Sequence, residues 1–313
     1  MNKKGVIEVK NLTKDYGEKR GVFNVSFKVE KGEMVGFVGT NGSGKTTTIR
    51  NIMGFIKPTN GYCSVNGLNT WKYHSEISKH IGYVPGEIAF PDLKTGTAFL
   101  KSQADFLGIT DMSYANSLIE RLQLDPRANL KRMSKGMKQK TALVAALMGN
   151  PDIIILDEPT TGLDPLMRTT FMDIIEEEHA KGKTILMSSH MFEEVEESCD
   201  SVALIANGHL IDKVDMIDIK FRQNRDYKIE FNNNDDYISF LTKEKYTIIR
   251  KQPEYNQITI SIKNNEINKL FNSLKKYNVK FLSEVKYTLE RYFKEKINKL
   301  GLFNKEEEKQ NVI

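Results

Sequence analysis

The chemistry of this chain is most legible in the run Gly39-Thr40-Asn41-Gly42-Ser43-Gly44-Lys45-Thr46-Thr47. It fits G-x-x-x-x-G-K-[ST], a loop that holds the phosphates of a nucleoside triphosphate. The glycines let the backbone curl until its N–H groups and a helix N-terminus converge on an anion. Lys45 brings a point charge for the β- and γ-phosphates, and the Thr46 hydroxyl can ligate Mg²⁺. The apolar stretch Met34–Val38 predicts a buried strand entering the loop. Lys45–Met53 predicts the helix leaving it, stopped by Gly54.

A second group of residues says what the nucleotide is for. Ile153–Leu156 is uniformly apolar, as a central parallel strand covered on both faces must be, and it ends in Asp157-Glu158. Carboxylates at the C-terminal edge of such a strand are costly unless they have work there, and that edge is where open α/β sheets bind ligands. Asp157 suits the Mg²⁺ shell, and Glu158 suits polarising an attacking water. Thr184–Ser189 predicts a further buried strand with His190 just past its end, placed to contact a γ-phosphate. The combination predicts hydrolysis of a nucleoside triphosphate.

Taken together, these residues resemble the nucleotide-binding subunit of an ATP-binding cassette (ABC) transporter over about residues 5 to 215. The family's signature loop is matched by Ser134-Lys135-Gly136-Met137, with Ser134 and Gly136 kept and Lys135 and Met137 departing from the common form. This variant is similar to a prokaryotic branch of multidrug and peptide exporter ATPases. The resemblance implies an ATPase coupled to transport, working as a homodimer in which the loop of one copy meets the γ-phosphate held by the other. It also implies that Asp164 belongs to a loop reaching across that interface and that Tyr16 stacks on adenine, although an ordinary turn tyrosine would look the same. Gly86 stands where the family usually has glutamine. Glu87 beside it either takes over a metal or water contact, or the switch is built differently.

The implied fold is an α/β phosphate-loop NTPase cassette, with a mixed sheet core and a helical subdomain over about residues 86–150. Within the latter, Thr97–Phe106, Met112–Leu122 and Gly136–Met148 carry helical periodicity. Past residue 215 the text turns rich in Lys, Asn and Ile. Its order of strand and helix patterns, β-α-β-β-α-β, predicts a small C-terminal α+β domain, a ferredoxin-like sandwich, over 216–300. Residues 301–313 are expected to form a flexible tail, frayed from Asn304.

Composition narrows the partners. The 313 residues are 39% hydrophobic, and no stretch approaches the roughly 20 apolar residues needed to cross a bilayer. The basic start Met1–Gly5 has no apolar segment behind it, so no secretory signal is expected. Cys63 and Cys199 belong to no metal-spaced cluster. A net charge of +5 comes from basic residues scattered among nearly as many acids, and no nucleic-acid partner is expected. The transport reading therefore calls for a separate integral membrane permease, with this chain cytoplasmic and peripheral on the inner face of the cell membrane. Its exported substrate would be a drug, an antimicrobial peptide or a lipid-like compound. The competing reading is a soluble ABC ATPase acting on a macromolecular partner. Against it, only one cassette is present, and no sustained heptads lie between Lys45 and Ser134.

Overall fold

A computed structural model describes residues 5–301; the expected tail from Asn304 lies outside the described residues. The chain opens with β1 (Gly5–Asp15) and β2 (Gly21–Glu30), followed by β3 (Met34–Val38), the phosphate loop and α1 (Lys45–Ile52). Strands β4 (Asn60–Val65) and β5 (Leu68–Asn69) complete an antiparallel sheet of order β2-β1-β4-β5. After the short α2 (His74–Ile77) come β6 (Ile81–Val84) and the helices α3 (Gly96–Leu107), α4 (Ser113–Arg121) and α5 (Lys135–Leu147). The chain then alternates through β7 (Ile153–Asp157), α6 (Pro165–Ala180), β8 (Thr184–Ser189), α7 (Phe192–Ser198), β9 (Ser201–Ala206) and β10 (His209–Asp215).

The second sheet has the order β10-β9-β3-β8-β7-β6. Its pairs from β9 to β6 are parallel, and β10 returns antiparallel through the Asn207-Gly208 turn. Both turn residues have positive φ, 49° and 79°, as a tight two-residue hairpin requires. Every residue of β3, β7 and β8 is buried, the signature of strands covered on both faces. One core cluster joins Ile7, Val25 and Phe27 of the first sheet to Phe37, Ile155 and Leu186 of the second, with Ile49 and Ile52 of α1 between them. Full burial of such side chains is worth about 1.5–3 kcal/mol each. The helix that leaves the phosphate loop is thereby clamped between two sheets, which fixes the aim of its N-terminus.

Polar contacts anchor the helical segment. On α6, Glu177 receives a two-pronged bond from Arg121 of α4 at 2.6 and 2.7 Å, and Glu178 accepts one from the Tyr114 hydroxyl at 2.7 Å. Glu178 is almost fully buried and also contacts Lys181 and Lys183. Burial pushes its carboxyl upward in pKa, but the bonds from Lys181, Lys183 and Tyr114 prevail and hold it below the usual range.

Residues up to Met216, together with 296–301, form one compact unit, and Ile217–Glu295 form another. After α8 (Met216–Lys220), the second unit holds β11 (Asn224–Phe231), α9 (Asn234–Lys243), β12 (Thr247–Gln252), β13 (Gln257–Lys263), α10 (Ile267–Leu274) and β14 (Val279–Val285). Its antiparallel sheet has the order β12-β13-β11-β14. Ile229, Ile258 and Ile260 pack on Phe240 of α9 and Leu270 of α10.

Candidate functional site

Gly44 opens α1 with φ 108°, and a β-carbon there would come 2.4 Å from Val22 Cγ1, so glycine is required. No side chain caps this helix end and its first turn holds no acid. The first N–H groups thus face open space with the positive end of the dipole behind them. The Ser43 hydroxyl in the same loop is buried and without a hydrogen-bond partner. This arrangement suits an anion.

Lys45 is 4% exposed. Its ammonium donates to the carbonyls of Gly39 at 2.8 Å and Thr40 at 3.2 Å, and lies 3.2 Å from Glu158 Oε1. The other carboxylate oxygen of Glu158 is 3.3 Å from His190 Nδ1. A chain of polar contacts therefore runs from phosphate loop to strand end, Lys45 to Glu158 to His190. Glu158 reaches it with φ 48°, a left-handed backbone that a non-glycine residue adopts only when held. The hold comes from β8: the Glu158 N–H donates to the Ser188 carbonyl at 3.1 Å and to its hydroxyl oxygen at 3.0 Å.

Asp157 is fully buried. Its Oδ1 accepts from the Ser188 hydroxyl at 2.6 Å, while Oδ2 lacks a partner of good geometry. Burial raises its pKa above the usual range, against the pull of the Ser188 and Thr46 hydroxyls. A β-carbon at Gly86 would stand 3.4 Å from Oδ2, so glycine leaves space beside the oxygen. A buried, under-bonded carboxylate oxygen and the Thr46 hydroxyl form a hard oxygen donor set that fits Mg²⁺.

A cavity of about 570 Å³ joins the loop to the base side, lined by Asn41, Gly42, Gly44, Lys45, Thr46, Thr47 and Glu158 together with Tyr16, Arg20 and the turn Asn207-Gly208. Tyr16 is half-exposed, with the Lys14 ammonium 5.4 Å from its ring. Thr40 is exposed in the same loop. Arg20 and the Asn207-Gly208 turn were not anticipated as cavity walls. The turn is tied in by two backbone bonds, Gly208 N–H to the Ser43 carbonyl and Phe23 N–H to the Gly208 carbonyl. Glu87 is exposed and absent from the residues lining the cavity, so only Gly86 of that pair lies against Asp157.

Ser134, Lys135, Gly136 and Met137 are also absent from that lining. Ser134 caps α5, its hydroxyl accepting from the Met137 N–H at 3.2 Å, and Lys135 follows as the first helical residue. Both are exposed. The loop that follows Glu158 packs behind them: a β-carbon at Gly136 would meet the Gly162 carbonyl at 2.9 Å. Asp164 caps α6 by accepting from the Met167 N–H at 3.0 Å, with Pro165 in the first turn.

Fold and site together define a phosphate-loop nucleotide-binding cassette. The family model described as "ABC transporter" matches residues 22–161. Over 247 residues the chain is 34% identical to the bacitracin transport ATP-binding protein BcrA of Bacillus licheniformis, covering 77% of this chain and 79% of that protein. A solved ATP-binding subunit of an ABC transporter superposes with a TM-score of 0.63 at 33% identity, covering 69% of this chain and 92% of that one. The dimeric structure of MJ0796, a bacterial ABC transporter cassette, gives 0.61 at 25% identity, with 67% and 98% covered. This chain belongs to the ATP-binding subunits of ABC transporters, a family of ATPases coupled to transport.

Proposed function

We propose that two copies of this chain pair head to tail, clamp two ATP molecules between them, and use hydrolysis to drive export through a separate integral membrane permease. The observation that carries the proposal is the N-terminus of α5. It is exposed, begins with Lys135, and has no acid in its first turn. A lysine at that end opposes the helix dipole unless an anion arrives, and the chain's own phosphate loop lies in a different cavity. The γ-phosphate bound by a second copy is the anion that fits. The dimeric bacterial cassette supports this reading.

In this reading Thr40, Asn41, Gly42, Ser43, Gly44, Lys45, Thr46 and Thr47 hold the phosphates, and Tyr16 stacks on adenine. Thr46 and Asp157 would hold Mg²⁺, which would neutralise charge on the β- and γ-phosphates. ATP displaces the Lys45 ammonium from Glu158, because the phosphate oxygens compete for the same cation. Glu158 is then free to take the proton of the attacking water, while His190 steadies the γ-phosphate. Ser134, Lys135, Gly136 and Met137 of the other copy close on that phosphate, and Asp164 lies along the same face. Loss of the γ-phosphate removes the anion that joined the copies, so the clamp opens. Positioning and electrostatics supply nearly all of the rate gain.

Among the described residues no helix is long and apolar enough to cross a membrane. The proposal assigns the path through the bilayer to the permease and places this chain in the cytoplasm, peripheral on the inner face of the membrane. The relative named for bacitracin transport supports a substrate class of drugs, antimicrobial peptides or lipid-like compounds. The proposal also divides the chain into the cassette over 1–215 and a ferredoxin-like accessory domain over 216–300 that stabilises the dimer. The test is the mass of the full-length Glu158→Gln variant with MgATP. It should bind ATP, stop turning it over, and run as a dimer of 35.8 kDa chains. Normal turnover would overturn the assignment of Glu158, and an ATP-loaded monomer would overturn the clamp.

A further inference from the structure

One buried carboxylate outside the machinery described above joins the three segments that carry it. Glu194 of α7 keeps 7% of its side chain exposed. Its Oε2 accepts from the Thr160 hydroxyl at 3.0 Å and from the Ser189 hydroxyl at 3.1 Å. Its Oε1 lies 3.3 Å from Nε of Arg168. Thr160 stands two residues beyond Glu158, Ser189 directly precedes His190, and Arg168 belongs to the helix that Asp164 caps. Of the acids on this short helix, Glu193 and Glu197 are exposed and Glu194 is buried. Burying a carboxylate is costly, and here the two hydroxyl bonds to Oε2 and the nearby Arg168 charge offset that cost while Oε1 itself lacks a hydrogen-bond partner.

We infer that Glu194 is a positioning residue that sets the separation of Glu158 and His190 for hydrolysis. The inference rests on the reading of those two residues given above. Its physical basis is the left-handed backbone of Glu158, φ 48°, which persists only if the chain is held on both sides. Ser188 holds the N-terminal side through the Glu158 N–H. The Thr160–Glu194 bond holds the C-terminal side, and the same carboxylate oxygen fixes Ser189 at the root of His190. Arg168 extends the clasp to the helix behind Asp164, so motion of that loop reaches both residues through one side chain. Glu194 acts through its neighbours and is not placed against nucleotide.

Steady-state ATP hydrolysis by the purified full-length chain tests this with Glu194→Ala, His190→Ala, the double variant, and Glu158→Gln. A displacement near 1 Å in a catalytic group costs about a hundredfold in rate. Glu194→Ala should therefore lower kcat by about 30-fold or more and leave KM for ATP within about threefold. In the His190→Ala background the same substitution should cost less than about threefold, because the pair whose separation it sets is already broken. A merely structural role would instead lower the active fraction and multiply with His190→Ala. Full additivity, or a folded Glu194→Ala enzyme with normal kcat, would overturn the inference. Should Glu194→Ala not fold, Thr160→Val decides, since it keeps the Arg168–Glu194 pair and removes one hydroxyl. It should show the same kcat loss at unchanged KM, and normal kcat would sink the inference. Wild-type turnover in Glu158→Gln would instead show that the underlying assignment of Glu158 had failed.

Discussion

Helices α1 and α5 both begin with lysine and carry no acid in the first turn, yet they sit in opposite surroundings. Lys45 of α1 is buried and already bonded to two loop carbonyls and to Glu158. Lys135 of α5 is exposed, and the N-terminus it opens is capped only by its own Ser134. The first end is an anion site finished within the chain, with the Lys45 ammonium held against the Glu158 carboxylate. The second is the same physical device left open. A helix end of this kind gains most when an anion is brought to it, so on the proposed reading one fold supplies both halves of a site that two copies complete.

The largest expected effect strikes the finished half. Glu158→Gln should lower ATP turnover by about 10³-fold, about 4 kcal/mol of barrier, with nucleotide affinity retained in a binding titration. Next comes the anchoring of the unfinished half. Glu178→Gln leaves Lys183 charged and buried, which should cost about 3 kcal/mol in chemical denaturation at pH 7. The native pKa of Glu178 lies below its unfolded value, so its contribution is complete above the usual carboxylate range and disappears as pH falls through the native pKa. The gap between wild type and variant should close in that acid window, and a pH-independent gap would contradict the pairing.

Ser134→Arg tests the open end itself. It should lower turnover by about 100-fold while leaving ATP affinity of the separated chain unchanged, because it touches only the other copy's nucleotide. A matching loss of affinity would erase the distinction between the two ends. The smallest effect concerns the metal position. Asp157→Asn removes a buried carboxylate whose pKa is raised by burial, and should raise the Tm of the nucleotide-free protein by about 2–4 °C. Because the native pKa lies above the unfolded one, the wild-type penalty is present at neutral pH and vanishes in acid, and so should the gain. The same variant should lose the extra thermal stabilisation that Mg²⁺ adds to ATP.

The buried strands were readable because all-apolar runs such as Ile153–Leu156 admit few alternatives, and the phosphate loop because its spacing is rarely met by chance. Helix α6 has a strong start signal in Asp164-Pro165, but its loop resemblance to an interface segment masked it. Strand β4, Asn60–Val65, begins in turn residues and lacks alternation, and only pairing with β1 makes it a strand. Within the site, the left-handed backbone of Glu158 has no mark in the sequence, since it is imposed by Ser188 across the sheet. Glu194 was hidden among four glutamates in five residues, and only helix phase beside buried Val195 separates it from its more exposed neighbours.

What matters most is whether nucleotide joins the two unlike helix ends of different copies. Cysteines introduced at Asn41 and Lys135, in a Glu158→Gln background with Cys63 and Cys199 replaced by serine, place one thiol at each end. With MgATP, oxidation should yield a disulfide-linked dimer that is absent without nucleotide and absent when either new cysteine is omitted. A chain that binds ATP but gives no such dimer, or gives it equally without ATP, would contradict the claim.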